Sequence, residues 1–454
     1  MKTIRIISRF ILGFVFIFSG FVKAIDPLGS AYKIADYFTA FNMGFFDSLS
    51  LPIGVFLAAF ELVLGVVLIL GYQKRLVYWV LLIFMSFFTI LTFFLGVFNP
   101  VSDCGCFGDA IIMTNWQTFF KNIILMVFVL VVFYSRKRAK NIMKGSYEKA
   151  LILLFFAGSF LLSISCLKQL PVIDFRPYHV GTYIQGGMEI PEDAPMDVYN
   201  TTLVYRNLES GDTEEFTLEN YPKDTLQWGF VTSESKLVSK GYEAPIHDFG
   251  LSDDYGYDIT DDLLADEDYS LMMVSHDIDK ANEEALIAMN DWYNLKNISG
   301  DFNFIPVTAS GTSMKDEVSQ ELGLDYAFYS ADEIMLKTVV RSNPGFVLLK
   351  NGTIIAKWSH QNFPDMSIWD EEWKELTEQF VSEQDPEILM LIDEGFMEEI
   401  QWDVVDFDKT ANQVVARKNV SSKEKLAWIS FFISVIFIFV VLQLPVVNRS
   451  MKRG

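Results

Sequence analysis

Two cysteines flank a single glycine in "DCGCFGD", Cys104 and Cys106, and no other spacing in this chain offers chemistry so directly. A thiolate is the reactive species, and a Cys-x-Cys pair can close a small, strained ring that passes on oxidising equivalents. Gly105 supplies the backbone freedom that closure needs. The third cysteine of the 454 residues, Cys166, is a candidate resolving thiol or a static disulfide partner for either of the two. An odd total leaves one thiol unpaired or bonded to another molecule. Redox pair, structural disulfide and soft-metal thiolate site all stay open, although no histidine lies close enough in sequence to favour a metal, and none is assigned.

What positions these residues is hydrocarbon. The chain is 51% hydrophobic yet carries a formal net charge of −22, which suggests two differently built regions. Residues 168–425 hold 51 of the 58 acidic side chains but 19 of the 36 basic ones, so they carry −32 and the remainder +10. No basic surface suited to nucleic acid appears. Six apolar runs are long enough to span a bilayer: 6–25, 51–70, 76–98, 116–134, 150–167 and 426–447. Basic clusters at the amino terminus, at 73–75, at 136–144 and at 449–454 all fall on one side of a six-span topology. The positive-inside rule makes that side cytoplasmic, with both termini there. Residues 26–50, 99–115 and 168–425 are then extracytoplasmic, and the three cysteines cluster near the outer membrane boundary, an oxidising setting in a bacterial inner membrane.

Glu61 falls in the middle of the second span. A charge there requires a partner or a proton. Gly54, Ala58, Glu61 and Gly65 share one helical face, whose small residues permit close packing and would bury Glu61 against a neighbour. Lys23 is the candidate partner, but its expected depth differs, and it can instead snorkel to the outer surface. A structural role and a proton or quinone-site role for Glu61 both stay open.

With "FSGFVKAIDP" after the first span, "ELVLGVVLILG" in the second and "DCGCFGD" before the fourth, residues 1–140 resemble the MauE/DoxX membrane family, and "CGCFG" points to the MauE branch, named for methylamine utilisation. The resemblance implies a four-helix membrane domain. It also implies work in the maturation of disulfide-rich envelope proteins, or redox chemistry with quinone as cofactor.

The outer region reads as mixed α and β. "TTLVYRNLESGDTEEFTL" and "GFVLLKNGTIIAKW" are hairpin signals, and between them strands and helices alternate. Residues 240–365 resemble a thioredoxin-like domain, in which Pro344 matches the family's cis-proline. Where that family has Cys-x-x-Cys, this chain has "SHDIDKAN", and no cysteine follows residue 166, so thiol exchange by this domain is excluded. The edge beside Pro344 could still bind extended peptide. His276, Asp277 and Asp279 occupy the vacated position and read as a loop with a cap rather than a metal site.

The expected architecture is therefore a membrane α-helical bundle, four MauE/DoxX-like helices plus two further spans, carrying an extracytoplasmic α/β thioredoxin-like domain. Its parts are 1–147 (four spans), 148–170 (fifth span), 171–239 (extended, β-rich linker), 240–365 (thioredoxin-like), 366–425 (acidic helices) and 426–454 (sixth span and basic tail). The expected function is thiol–disulfide redox or maturation of envelope proteins at the Cys-Gly-Cys loop, as a quinone-linked oxidoreductase if it is an enzyme. Its expected partners are the lipid bilayer and an envelope client. The rival is a non-catalytic scaffold whose degenerate thioredoxin-like domain docks a partner.

Overall fold

The computed structural model describes residues 2–71, 74–136, 146–191, 193–239, 241–297 and 303–363. The expected acidic helices of 366–425 and the sixth span lie outside the described residues. Five long helices carry the membrane half: α1 (Lys2–Ile25), α3 (Ser50–Leu70), α4 (Lys74–Phe98), α5 (Asn115–Tyr134) and α6 (Ser146–Gln169). All five are long and apolar enough to cross a bilayer. Their outer faces expose Phe14, Phe56, Ile83, Phe87, Ile90, Phe120 and Ile124, a surface suited to lipid rather than water. The protein is a multi-pass membrane protein.

The helices α1 and α3 cross in close contact. A Cβ on Gly20 would lie 2.3 Å from the Leu62 amide nitrogen, and one on Gly65 would lie 2.6 Å from the Gly13 carbonyl. Small residues on both helices bring the backbones together and bury Glu61 between them. A short helix, α2 (Pro27–Ala40), follows α1 after one residue. Asp26 is its N-cap, accepting from the Gly29 amide at 2.9 Å, and Pro27 occupies the first turn.

At the end of the bundle where α1 meets α2 and α4 meets α5 stands a six-stranded sheet in the order β4-β7-β6-β5-β8-β9. Its strands are β4 (Leu251–Ser252), β5 (Tyr269–Ser275), β6 (Asn303–Thr308), β7 (Tyr329–Ala331), β8 (Gly345–Lys350) and β9 (Thr353–Ser359). β5, β6 and β7 run parallel through the crossover helices α9 (Glu283–Asn297) and α10 (Thr312–Leu322), while β8 and β9 form the antiparallel hairpin. Asn351 and Gly352 at its tip both have positive φ, as a two-residue turn of this hand requires. The short helices α8 (Thr260–Leu264) and α11 (Glu333–Val339) complete the layer. This is a thioredoxin-like α/β domain, with Leu271, Met273, Trp292, Phe346 and Leu348 in its core. The Asn343–Pro344 peptide bond is cis.

Residues Tyr183–Phe249 form a separate compact unit. It holds a short helix, α7 (Ile184–Met188), and the antiparallel sheet β2-β1-β3 built from β1 (Val198–Asn207), β2 (Thr213–Thr217) and β3 (Trp228–Ser239). The β1–β2 turn lies at the "ESGD" of the expected hairpin.

Candidate functional site

The Cys104–Cys106 loop joins α4 to α5 and is tied down on both sides. Asp103 makes a backbone bridge with Thr114, and Thr114 caps α5 in a reciprocal box with Gln117. Asn115 fixes the incoming strand of the loop by donating to Asn99 Oδ1 and the Val101 carbonyl, at 2.9 and 2.7 Å. Gly105 has φ +62°, the left-handed conformation that a residue with a Cβ resists, and donates its amide to Asp103 Oδ2 at 3.0 Å.

Side chains of α1 and α2 hold the two cysteine carbonyls. Tyr37 Oη donates to the Cys104 carbonyl at 2.8 Å, and Lys33 pairs with Asp103. Lys23 Nζ donates to the Cys106 carbonyl, to Ser19 Oγ and to Glu61 Oε2, each at 2.7 Å. Lys23 therefore does not turn out to the surface. The close crossing of α1 and α3 cancels the difference in depth expected from sequence position, and the two charges are 7% and 5% exposed. Both have a direct partner and a shared hydroxyl, which is the condition for burying them.

With the backbone held, the thiols face inward. Cys104, Gly105, Cys106 and Phe107 line a cleft in the bundle with a cavity volume of about 100 Å³. Its walls are apolar, with Phe16, Phe84, Phe88 and Leu91 among them, and Lys121, Asn122 and Thr92 add polar groups. The Lys121 ammonium sits 4.4 Å from the centre of the Phe107 ring.

The two Sγ atoms are 2.7 Å apart and the thiols are free. The hydrogen bond from Cys106 holds the Cys104 thiol down at about 6, against the burial that opposes it, with Thr118 and Lys121 assisting. Its partner bears the converse effect: that same bond, then burial, raises the Cys106 thiol well above its ordinary value. The two thiols are thus driven apart in acidity, with Cys104 the more acidic, the division of labour that thiol exchange uses. Cys166 is elsewhere. At 2% exposure it belongs to the hydrophobic core of the bundle, on α6, and is not among the residues lining the cleft.

In the thioredoxin-like domain the position of the missing cysteines is closed. His276 meets Tyr32 of α2 edge-on, with ring centres 6.1 Å apart, and burial lowers its pKa to about 4. Asp277 pairs with Lys280 at 2.7 Å instead of converging with His276. The backbone before the cis-proline is also engaged, because the Asn343 carbonyl accepts from the Asn282 amide at 3.1 Å. The edge beside Pro344, expected to receive extended peptide, is therefore not open in this structure. β8 is an interior strand between β5 and β9, and the adjoining face packs on α2.

No motif or spacing points to Ser19, Lys33, Tyr37, Lys121 or Arg341. For α2 a signal existed in "DP" at residues 26–27, an N-cap followed by a first-turn proline.

Residues 1–135 match the profile of the family described as methylamine utilisation protein MauE. That match takes in α1 to α5, and this part of the bundle is similar to the family. The remainder of the chain lies beyond that match, apart from residues 199–240, which match a domain of unknown function. No curated protein matches the chain. A solution structure from Bacteroides thetaiotaomicron, named for an inferred protein disulfide isomerase, is similar at 16% identity over 29% of this chain and 82% of its own, with a TM-score of 0.22. The Cys-Gly-Cys loop, the Lys23–Glu61 pair and the cleft all fall within the matched residues.

Proposed function

We propose that Cys104 and Cys106 are the thiol–disulfide redox centre of this membrane protein, serving the disulfide state of other cell-envelope proteins. The observation that carries the reading is the juxtaposition of the pair: two sulfurs 2.7 Å apart across Gly105, on a loop whose carbonyls are held by Tyr37 and Lys23 and whose residues line an apolar cleft. In exchange, the Cys104 thiolate attacks a client disulfide, forming a mixed disulfide and releasing one client thiolate. Cys106, giving up its proton, then attacks Cys104 Sγ, which closes the Cys104–Cys106 bond and frees the second client thiol. Two electrons pass from the pair to the client, and the reverse sequence oxidises a client dithiol.

The cationic clusters around the spans support an extracytoplasmic position for this loop in a bacterial inner membrane. A quinone, the cofactor that the family resemblance implies, suits the residues of the cleft, where Phe16, Phe84 and Phe88 offer apolar walls and Lys121 and Asn122 offer donors. When bound, it would supply a sink for two electrons and two protons.

Alkylation mass-shift trapping in cells tests the reading, comparing the wild type with Cys104→Ser and Cys106→Ser. An oxidised pair in the wild type and a mixed disulfide retained by Cys106→Ser are expected. If neither species ever accumulates, the pair is not a redox centre. The rival scaffold reading draws support from the way the loop backbone is pinned by Tyr37, Lys23 and Ser19, and requires that the double Cys→Ser variant keep full function.

A further inference from the structure

Arg341 stands three residues before cis-Pro344 and is 6% exposed. Its guanidinium reaches two acidic residues of the membrane half: Nε lies 3.0 Å from Asp26 Oδ2, and Nη2 lies 2.7 Å from Asp109 Oδ2. The remaining nitrogen donates to the Lys337 carbonyl at 2.5 Å, so the whole fork is used. Against burial, which works the other way, Asp26 and Asp109 hold it firmly protonated. The guanidinium also lies 5.4 Å from the centre of the Tyr32 ring, and Lys337 lies 4.9 Å from the same centre. Burial pushes the Tyr32 hydroxyl up to about 12, so that ring stays neutral beside its cations. The fit has no slack, since a Cβ on Gly29 would come within 2.9 Å of Arg341 Nη2.

Neither acidic residue lines the thiol cleft itself, but each belongs to a piece of chain whose neighbouring residues do, Lys33 and Tyr37 of α2 and Cys104 to Phe107 of the loop. Asp26 caps α2, the helix whose Lys33 and Tyr37 hold Asp103 and the Cys104 carbonyl. Asp109 lies three residues beyond Cys106, in the short turn that ends the loop. One guanidinium from the cysteine-free domain therefore joins the two pieces of chain that cover the cleft.

We propose that Arg341 is a positioning residue for the thiol pair, and that through it the thioredoxin-like domain is latched as a lid over the Cys-Gly-Cys loop. With the latch made, the loop is held with its sulfurs toward the cleft. A protein partner reaches Cys104 only when the contacts of Arg341 with Asp26 and Asp109 open. The purpose of this arrangement rests on the redox reading above, but its geometry does not.

The test uses full-length, reduced protein in lipid nanodiscs. Labelling by a polyethylene-glycol maleimide and by N-ethylmaleimide is followed at each cysteine by peptide mass spectrometry. Arg341→Gln and the double variant Asp26→Asn, Asp109→Asn should each raise the rate of the bulky reagent at Cys104 about tenfold or more, because a closed equilibrium has lost its buried pair. The rate of the small reagent should change far less. Arg341→Lys, which keeps the charge but not the fork, should fall between. Cys166 reports the fold, and should stay unlabelled throughout. An unchanged bulky-reagent rate in the Arg341→Gln and double variants, with Cys166 protected, overturns the proposal. Should Arg341→Gln expose Cys166, Asp109→Asn alone replaces it and is judged by the same two outcomes. The labelling requires no turnover, so an inert pair would fail the trapping experiment and leave this one intact.

Discussion

Lys23 on α1 and Glu61 on α3 meet at 2.7 Å inside the bundle, and the same ammonium donates to the carbonyl of Cys106. The ion pair is therefore part of the support of the thiol loop. Removing one partner leaves the other charge buried without compensation, which costs roughly 3–5 kcal/mol. Lys23→Met and Glu61→Gln should each lower the melting temperature of the detergent-solubilised protein. The double variant Lys23→Met, Glu61→Leu should recover most of that loss, because two apolar side chains need no partner. It should still show altered thiol labelling, since the Cys106 carbonyl has lost its ammonium. A double variant as unstable as the singles would show that the pair is not what the two residues contribute.

The division of the thiols predicts a pH dependence. Cys104 should alkylate with a half-maximal rate near pH 6, and Cys106 should stay unreactive far above it. Because the bond from Cys106 is the largest influence on Cys104, Cys106→Ala should move the Cys104 profile up. A thiol lowered by folding stabilises the folded state fully above its ordinary value of 9.0, and that contribution is lost as pH falls through about 6. Rate–pH profiles of iodoacetamide labelling decide the matter. Equal profiles for the two cysteines would contradict the asymmetry.

Gly105 is the hinge on which closure of the pair turns. At φ +62°, Gly105→Ala is strained by about 1 kcal/mol, and its Cβ would lie 3.0 Å from Lys33 Cγ. Closure of the Cys104–Cys106 bond by a chemical oxidant should slow in this variant. Gly108→Ala is the control. It carries similar backbone strain at φ +51° and lies on the same loop, outside the pair. Comparable slowing in both variants would reduce the effect to general loop strain.

Hydropathy made the bundle legible, because a bilayer allows few alternatives to apolar helices of a fixed length. The β8–β9 hairpin was equally legible from "NG", whose residues tolerate the positive φ that the turn demands. What could not be read is what the tertiary fold alone brings together. Lys23 and Glu61 were expected at different depths, and only the glycine-mediated crossing of α1 and α3 removes that offset. Arg341 is separated from Asp26 by 315 positions and from Asp109 by 232, and no periodicity links residues across such distances. Residues 26–50 carry no long apolar run, so their sequence marks an external connection and nothing in it singles out Lys33 or Tyr37 of α2.

Asp174 marks a second tie between the exit of α6 and the thioredoxin-like sheet. It accepts from Arg176 through both oxygens, at 2.7 and 2.8 Å, and from Lys357 of β9 at 2.8 Å. Lys357 also donates to the Tyr178 carbonyl, and Arg176 to the carbonyl of Thr338 in α11. Burial alone would raise the Asp174 carboxyl, but Arg176 and Lys357 hold it well below the ordinary range. Burial brings Lys357 down to about 8, with Asp174 resisting. Asp174→Asn should therefore destabilise the protein by roughly 3–5 kcal/mol at pH 7, since two buried cations lose their counter-charge. The loss should shrink as pH rises. A lysine lowered by folding sheds its proton in the folded state while the unfolded chain, at its ordinary 10.5, keeps one, so stability climbs through that interval. Without Asp174 the interval should begin below 8. Melting temperatures of wild type and variant from pH 5 to 10 check this: the two curves should converge as pH rises towards 8 and run parallel above it, and curves parallel throughout would show that Lys357 does not depend on Asp174 for its charge.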